Sequence, residues 1–277
     1  MSAEFLEQMA QASRARVRAA QRLQARAQLE QAARALPPPP PLRLDPRGFD
    51  LIAEVKLRSP AHGQLRAAGE DVRARVTAYA RAGAVAVSVL TEPTRFDGAL
   101  EHLSSAAQAL APLAVPTMRK DFLVDPYQVV EARLAGAGGV LVILRMLPRE
   151  ETESLLERAC ALGLFVLLEA FDAQDIALMH ELVERWGKAA QLLAGVNCRD
   201  LRTLAVVPER LLELAPLLPA GVPRVAESGV GSPAAARAVA AAGYELALVG
   251  SALMQGEDPE ALVAQLLAVG RAARGAP

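Results

Sequence analysis

Residues 51–60 read Leu51-Ile-Ala-Glu-Val-Lys-Leu-Arg-Ser-Pro60. An apolar run, Leu51–Val55, leads into a charged end. Residues two apart in a strand point to the same side, so Glu54 and Lys56 share one face while Val55 turns toward a helix layer. An open, doubly wound sheet normally follows its first strand with a Gly-rich phosphate turn. Lys56-Leu-Arg-Ser-Pro60 supplies none. This stretch therefore favours a closed barrel over an open sheet, with the open sheet as the alternative.

The same beat recurs along the chain. Further short apolar runs are Ala84–Leu90, Leu113–Met118, Gly139–Leu144, Leu164–Leu168, Leu192–Val196, Val222–Ala226 and Leu246–Val249. Nearly continuous apolar runs suit strands buried on both faces. Between them lie helix starts, where Asp125-Pro126, Ser232-Pro233 and Asp258-Pro259 each set an N-cap residue before a first-turn proline. Helix stops recur at Arg81-Ala-Gly83, Leu134-Ala-Gly136 and Ala241-Ala-Gly243, where glycine accepts a left-handed conformation. Eight strand–helix units imply an α/β fold, a (β/α)8 barrel. Ahead of it, Ala3 to Leu36 is rich in helix formers and holds six Arg against three Glu. Pro37–Pro41 stops that helix and forms a stiff arm. The expected division is residues 1–48 as a helix and Pro-rich arm packed on the barrel, and 49–274 as the catalytic barrel.

Composition narrows the function. The 277 residues are 52% hydrophobic and 22% charged, which supports one sizeable core. Thirty basic and 31 acidic residues leave a net charge of −1, which gives no electrostatic reason to expect nucleic acid. Cys160 and Cys198 are too few for a disulfide framework or a zinc site. With no secretory signal read at the N-terminus, they fit a reducing cytoplasm. The apolar runs are too short to span a bilayer. No metal site and no membrane role are expected.

Chemistry in such a barrel sits where strands end. The ends read Glu54-Val-Lys56, Arg119-Lys-Asp-Phe122, Leu168-Glu169, Val196-Asn-Cys-Arg199, Ala226-Glu-Ser-Gly229 and Val249-Gly-Ser251. Three carboxylates and two lysines around one mouth shift one another's pKa and can serve as acid and base. Ser228-Gly229 and Gly250-Ser251 each precede a helix. Exposed backbone amides there favour an anion, and phosphate is the expected ligand.

These segments resemble the indole-3-glycerol phosphate synthase family of tryptophan biosynthesis. The resemblance rests on Ile52-Ala-Glu-Val-Lys-Leu-Arg-Ser-Pro60, Val87-Ser-Val-Leu-Thr-Glu-Pro93 with Phe96 and Gly98, Arg119-Lys-Asp-Phe122 with Asp125-Pro-Tyr-Gln128, Leu168-Glu169, Gly195-Val-Asn-Cys-Arg-Asp-Leu201, Ala226-Glu-Ser-Gly229 and Leu248-Val-Gly-Ser-Ala-Leu-Met254. It also covers the Arg-rich segment before the first strand.

The resemblance implies conversion of 1-(2-carboxyphenylamino)-1-deoxyribulose 5-phosphate to indole-3-glycerol phosphate, with loss of CO2 and water and without metal or organic cofactor. It implies that Lys120 is the acid of ring closure. Glu169 and Glu54 would serve dehydration in an undivided acid–base pair, and Lys56 would pair with Glu54. Asn197 and Glu227 would position the substrate, and Arg199 would steady them. Ser59, Gly229, Gly250 and Ser251, with Ser228 beside them, match the phosphate site. Phe96 and Phe122 are candidates for ring contacts, and Val142-Ile-Leu144 for an apolar wall. Other enzymes of the pathway are potential partners of an expected monomer or weak dimer.

The sequence departs from the family pattern in two places. Ala61-His62-Gly63 stands where Ser-Lys-Gly is common, and Cys198 replaces the more usual Asn or Ser. Cys198 should point away from Asn197's face and pack. His102 and His180 fall on helices. A phosphoribosylanthranilate isomerase would place a cysteine where Glu54/Lys56 stand and an aspartate at Asn197. A barrel that only binds its phosphate ligand, or acts as a partner subunit, is the non-catalytic alternative.

Overall fold

The computed structural model describes residues 2–61, 63–65 and 71–275. Eight strands form the wall of a closed barrel. They are β1 (Asp50–Val55), β2 (Ala86–Leu90), β3 (Thr117–Lys120), β4 (Gly139–Ile143), β5 (Phe165–Ala170), β6 (Leu192–Asn197), β7 (Arg224–Glu227) and β8 (Leu246–Val249). Each neighbouring pair is parallel, and β1 closes the circle by pairing with both β2 and β8. The strand expected from Leu113 starts four residues late. Residues 111–113 form a 3-10 turn and β3 starts only at Thr117, so Leu113 belongs to the approach. Pro112 and Pro116 break the pattern there, since proline cannot donate to a ladder.

Alternation decides what each strand faces. Ile52, Met118, Leu141, Phe165, Leu167, Leu193, Val225 and Leu246 fill the interior. Leu51, Ala53, Val55, Val140, Val142 and Val166 pack outward against helices. Burying each such side chain contributes roughly 1.5–3 kcal/mol. The interior fills without overlap because volumes complement one another. Gly139 is in register with Phe165, and a Cβ on Gly139 would lie 2.4 Å from the Phe165 ring.

The helices are α1 (Ser2–Leu23), α2 (Arg26–Arg34), α3 (Val72–Arg81), α4 (Pro93–Phe96), α5 (Leu100–Leu110), α6 (Pro126–Leu134), α7 (Arg149–Ala161), α8 (Ala173–Trp186), α9 (Glu209–Leu214), α10 (Pro233–Ala241), α11 (Ser251–Gln255) and α12 (Pro259–Arg274). Asp125, Ser232 and Asp258 accept backbone N–H groups at the starts of α6, α10 and α12. Gly83, Gly136 and Gly243 take φ of 105°, 89° and 100°, as the stop signals require.

The N-terminal segment is two helices, where one was expected from Ala3 to Leu36. Ala25 is extended (φ −64°, ψ 140°) and breaks the run ahead of the prolines. The Tyr127 hydroxyl donates to Gln24 O at 3.1 Å, so α6 holds that break in place. Leu6 and Met9 of α1 join the interior cluster of the barrel. In the arm, Arg133 donates to Pro37 O, and Gln191 to Leu42 O at 3.0 Å.

α1 is tied to the end of β3. Arg16 meets Asp121 at 2.7 Å, and Arg119 meets the other Asp121 oxygen at 3.0 Å. Thr91 donates to Asp121 at 2.8 Å, and the Phe122 N–H does so at 2.8 Å. Ser13 donates to Phe122 O and accepts from Gln128 at 2.8 Å. Burial pushes the Asp121 carboxyl up, but Arg119 and Arg16 outweigh it and hold the group below the usual range. Asp121→Ala would strip the buried Arg119 of its buried partner, leaving the part-exposed Glu131 as its one carboxylate, and would free Arg16 from the end of β3. Denaturant unfolding is expected to show a loss of about 3–5 kcal/mol, and a loss under about 1 kcal/mol would mean the anchor is idle.

Candidate active site

The strand ends surround a cavity of about 330 Å3. Its floor is charged. From β1, Lys56 Nζ meets Glu54 Oε1 at 2.7 Å. From β3, Lys120 Nζ lies 3.3 Å from Glu169 Oε2 of β5 and 3.8 Å from Glu227 Oε2 of β7. From β6, Asn197 Nδ2 donates to the same Glu169 oxygen at 3.1 Å. Asn197 Oδ1 accepts from Ser228 Oγ at 2.9 Å and from the Arg199 N–H at 3.0 Å. These two donors fix which way the amide points.

All three glutamates are almost sealed from water, at 2%, 2% and 1% exposure for Glu54, Glu169 and Glu227. Burial alone would lower the Lys120 ammonium, but the carboxylates of Glu169, Glu227 and Glu54 outweigh it and hold the proton well above the usual lysine range. Burial pushes Glu54 up; Lys56 and Lys120 outweigh it, so the carboxyl sits below its ordinary value. Glu227 goes the other way. Burial and the neighbouring Glu169 drive its carboxyl well above the ordinary range, against the pull of Lys120. Glu169 receives two donors, whereas neither Glu227 oxygen has a hydrogen-bond partner. Lys120 is also nearer Glu169. The floor thus favours the charged forms of Lys120 and Glu54 and pushes Glu227 toward its neutral form.

Glycines on neighbouring strands make room for these groups. A Cβ on Gly250 would come within 2.3 Å of Glu54 Oε1 and 3.0 Å of Lys56 Nζ; one on Gly195 would lie 2.4 Å from Glu227 Oε1. Each carboxylate leans over a position where any side chain would displace it.

The two ends of the cavity differ. At β7 and β8, Ser228 and Gly229 are both left-handed (φ 67° and 75°), turning the chain sharply at the strand end. Gly250 and Ser251 open α11, and Ser59 is buried beside them on the cavity wall. Val230, Gly231 and Gln255 line this end too; no sequence signal singled them out. Across the barrel, Phe122 stacks near Phe96 and Phe5, with ring centroids 6.2 and 6.0 Å away. Glu92 caps α4 through the Thr94 and Arg95 N–H groups and so sets Phe96.

Every side chain proposed from the sequence for catalysis or binding reaches this cavity, Arg199 included. The Arg199 guanidinium donates to Leu204 O at 2.6 Å, bracing its own loop. The apolar wall is corrected. Ile143, with Leu141, faces the cavity, but Val142 and Leu144 point outward into the helix layer, because alternation allows only every second residue inside. Phe5, Leu6 and Phe171 were missed. Phe5 and Leu6 come from α1, whose docking over the mouth is a tertiary fact.

Cys198 is buried, its Sγ 3.4 Å from Ser228 O, and burial pushes the thiol up to about 11. It packs as expected. His102 and His180 sit on α5 and α8. His62 lies outside the described residues. Among the described residues no group of three His, Cys, Asp or Glu could hold a metal ion, and no helix is long and apolar enough to cross a membrane.

Residues 4–266 match the family model described as indole-3-glycerol phosphate synthase. An indole-3-glycerol phosphate synthase of Kineococcus radiotolerans is 43% identical over 230 residues, covering 83% of this chain and 80% of that protein. One from Mycolicibacterium smegmatis is 39% identical over 271 residues, covering 97% and 96%. Among solved structures, a 3-hexulose-6-phosphate synthase from Salmonella typhimurium aligns over 79% of this chain and 99% of its own, with TM-score 0.61 and 15% identity. A thiamine phosphate pyrophosphorylase from Pyrococcus furiosus covers 83% of this chain and 100% of its own at TM-score 0.58 and 18% identity. These two share the fold alone.

Gly250→Ala tests the seating of the floor. It should displace Glu54 and lower turnover about a hundredfold, the scale of a 1 Å misplacement, with the unfolding midpoint little changed. Full turnover would show that the glycine is dispensable.

Proposed function

The chain belongs to the indole-3-glycerol phosphate synthase family, and on that premise we propose how its cavity performs ring closure, decarboxylation and dehydration. The substrate, 1-(2-carboxyphenylamino)-1-deoxyribulose 5-phosphate, has a phosphate at one end, an aromatic carboxylate at the other and a ketone between. In this reading Ser59, Ser228, Gly229, Gly250 and Ser251 take the phosphate, and Phe96 and Phe122 the aromatic ring, with the charged floor between them; all of these residues line the one cavity.

The observation that carries the reading is the position of Lys120. Its ammonium stands on the floor between the two ends, held protonated by three carboxyl neighbours. In ring closure the ring carbon bearing the carboxylate attacks the ketone carbon, and a carbon–carbon bond forms as the C=O π pair moves to oxygen. Lys120 gives that oxygen its proton, so no free alkoxide accumulates. The ring–carboxylate bond then breaks, CO2 departs, and the pair left behind restores the aromatic ring. In dehydration one group protonates the departing hydroxyl and another takes a proton from the new ring. Glu54 and Glu169 share these two roles: the one acting as acid enters the step protonated and leaves it ionised, the one acting as base does the reverse, and Lys56 favours the ionised form of Glu54. Asn197 orients Glu169, and the neutral Glu227 donates a hydrogen bond to a substrate oxygen.

The reaction proposed here needs neither metal nor organic cofactor. The test is indole fluorescence, followed after mixing the substrate with protein in the absence of metal. Lys120→Met is expected to lower kcat by about a hundred- to ten-thousand-fold, the usual worth of a general acid, with substrate affinity largely kept. Near-normal turnover in that variant would remove Lys120 from the acid role.

A further inference from the structure

Phe171 lies two residues beyond Glu169, so both side chains stand on the inner face of the same strand end, Phe171 nearer the mouth. The ring is 4% exposed and belongs to the interior cluster with Phe122, Ile143 and Leu6. It is also braced from behind. Its N–H donates to Asp175 Oδ2 at 2.7 Å. Arg145, from the turn after β4, donates to the same oxygen at 2.8 Å and pairs with Asp172 as well. The Arg145 guanidinium sits 4.8 Å from the centroid of the Phe171 ring, a cation–π distance. A hydrogen bond at its backbone and a guanidinium over its face thus hold an aromatic ring that bonds to none of the groups on the charged floor.

The barrel order places β7 and β8, which carry the anion end, across from β3 and β4. A ligand anchored by its anion there must project its other end toward β3 and β4, where Phe122 and Ile143 stand, with Phe171 of the neighbouring β5 end flanking them. We propose that Phe171 is a specificity-determining wall of this aromatic end, which admits an unsubstituted benzene ring and excludes ring substituents. This rests on the reaction proposed above. Arg145 acts through Phe171 as a positioning residue: by fixing the ring it makes the wall rigid, and a rigid wall rejects added volume where a mobile one yields.

The test compares the parent substrate with its ring-methylated isomers, one for each free ring position, by kcat/KM. The wild type is expected to disfavour at least one isomer by about ten- to two-hundred-fold, the range one methyl group commands in a tight pocket. Phe171→Ala and the milder Phe171→Leu should each reduce that ratio at least about tenfold. Arg145→Met should relax it in the same direction by less. Equal losses on parent and methylated substrates would overturn the proposal, because they mark a purely structural role. So would a wild type that accepts every isomer as well as the parent. A wild type that fails to turn over the parent would instead refute the proposed reaction, so the two failures are distinguishable.

Discussion

Charge balance on a nearly dry floor is the constraint from which the rest of this site follows. Two lysines face three glutamates that water barely reaches. An uncompensated charge in such a place costs several kcal/mol, so the third carboxyl is pushed toward its neutral form. That single adjustment gives the site its division of labour. Lys120 and Glu54 are biased toward their charged forms, and Glu227 toward that of a neutral donor.

The scaffold serves this floor by exclusion and by anchoring. Gly195 and Gly250 leave space for Glu227 and Glu54. Asp121, the residue after Lys120, is wholly buried and gathers Arg16, Arg119 and Thr91. The N-terminal helix is therefore part of the architecture of the mouth: one face braces the end of β3 through Ser13 and Arg16 and, nearer its start, lends Phe5 and Leu6 to the cavity wall. The aromatic end and the anion end lie on opposite arcs of the barrel, and a molecule reaching both must cross the lysines.

Much of this was legible in the chain. The alternation of apolar runs with capped helices specified the barrel, and the ends of the runs held the charged groups, because local patterning and strand-end chemistry are written in contiguous residues. Spacing alone put Glu54 and Lys56 on one face, as the 2.7 Å pair bears out. Features set by distant partners were not legible. Nothing local marks Ala25 as a break, which Tyr127 of α6 supports. Nothing near Phe171 tells that Arg145, from another loop, fixes it against the cavity. The Val142-Ile-Leu144 run hid its alternation because both faces of β4 are apolar, and periodicity carries no information when inside and outside are equally greasy. The neutral state of Glu227 depends on neighbours from three other strands, Lys120, Glu169 and Glu54.

The central claim is the protonation of the floor, and it can be observed directly. Infrared spectra of protein with isotopically labelled glutamate carboxyls, taken at neutral pH for the wild type and for Glu227→Gln, give a difference that isolates Glu227. The account predicts a protonated carboxylic C=O band in the wild type that vanishes in the variant. A difference consisting only of carboxylate bands would mean that Glu227 is charged, and would contradict it.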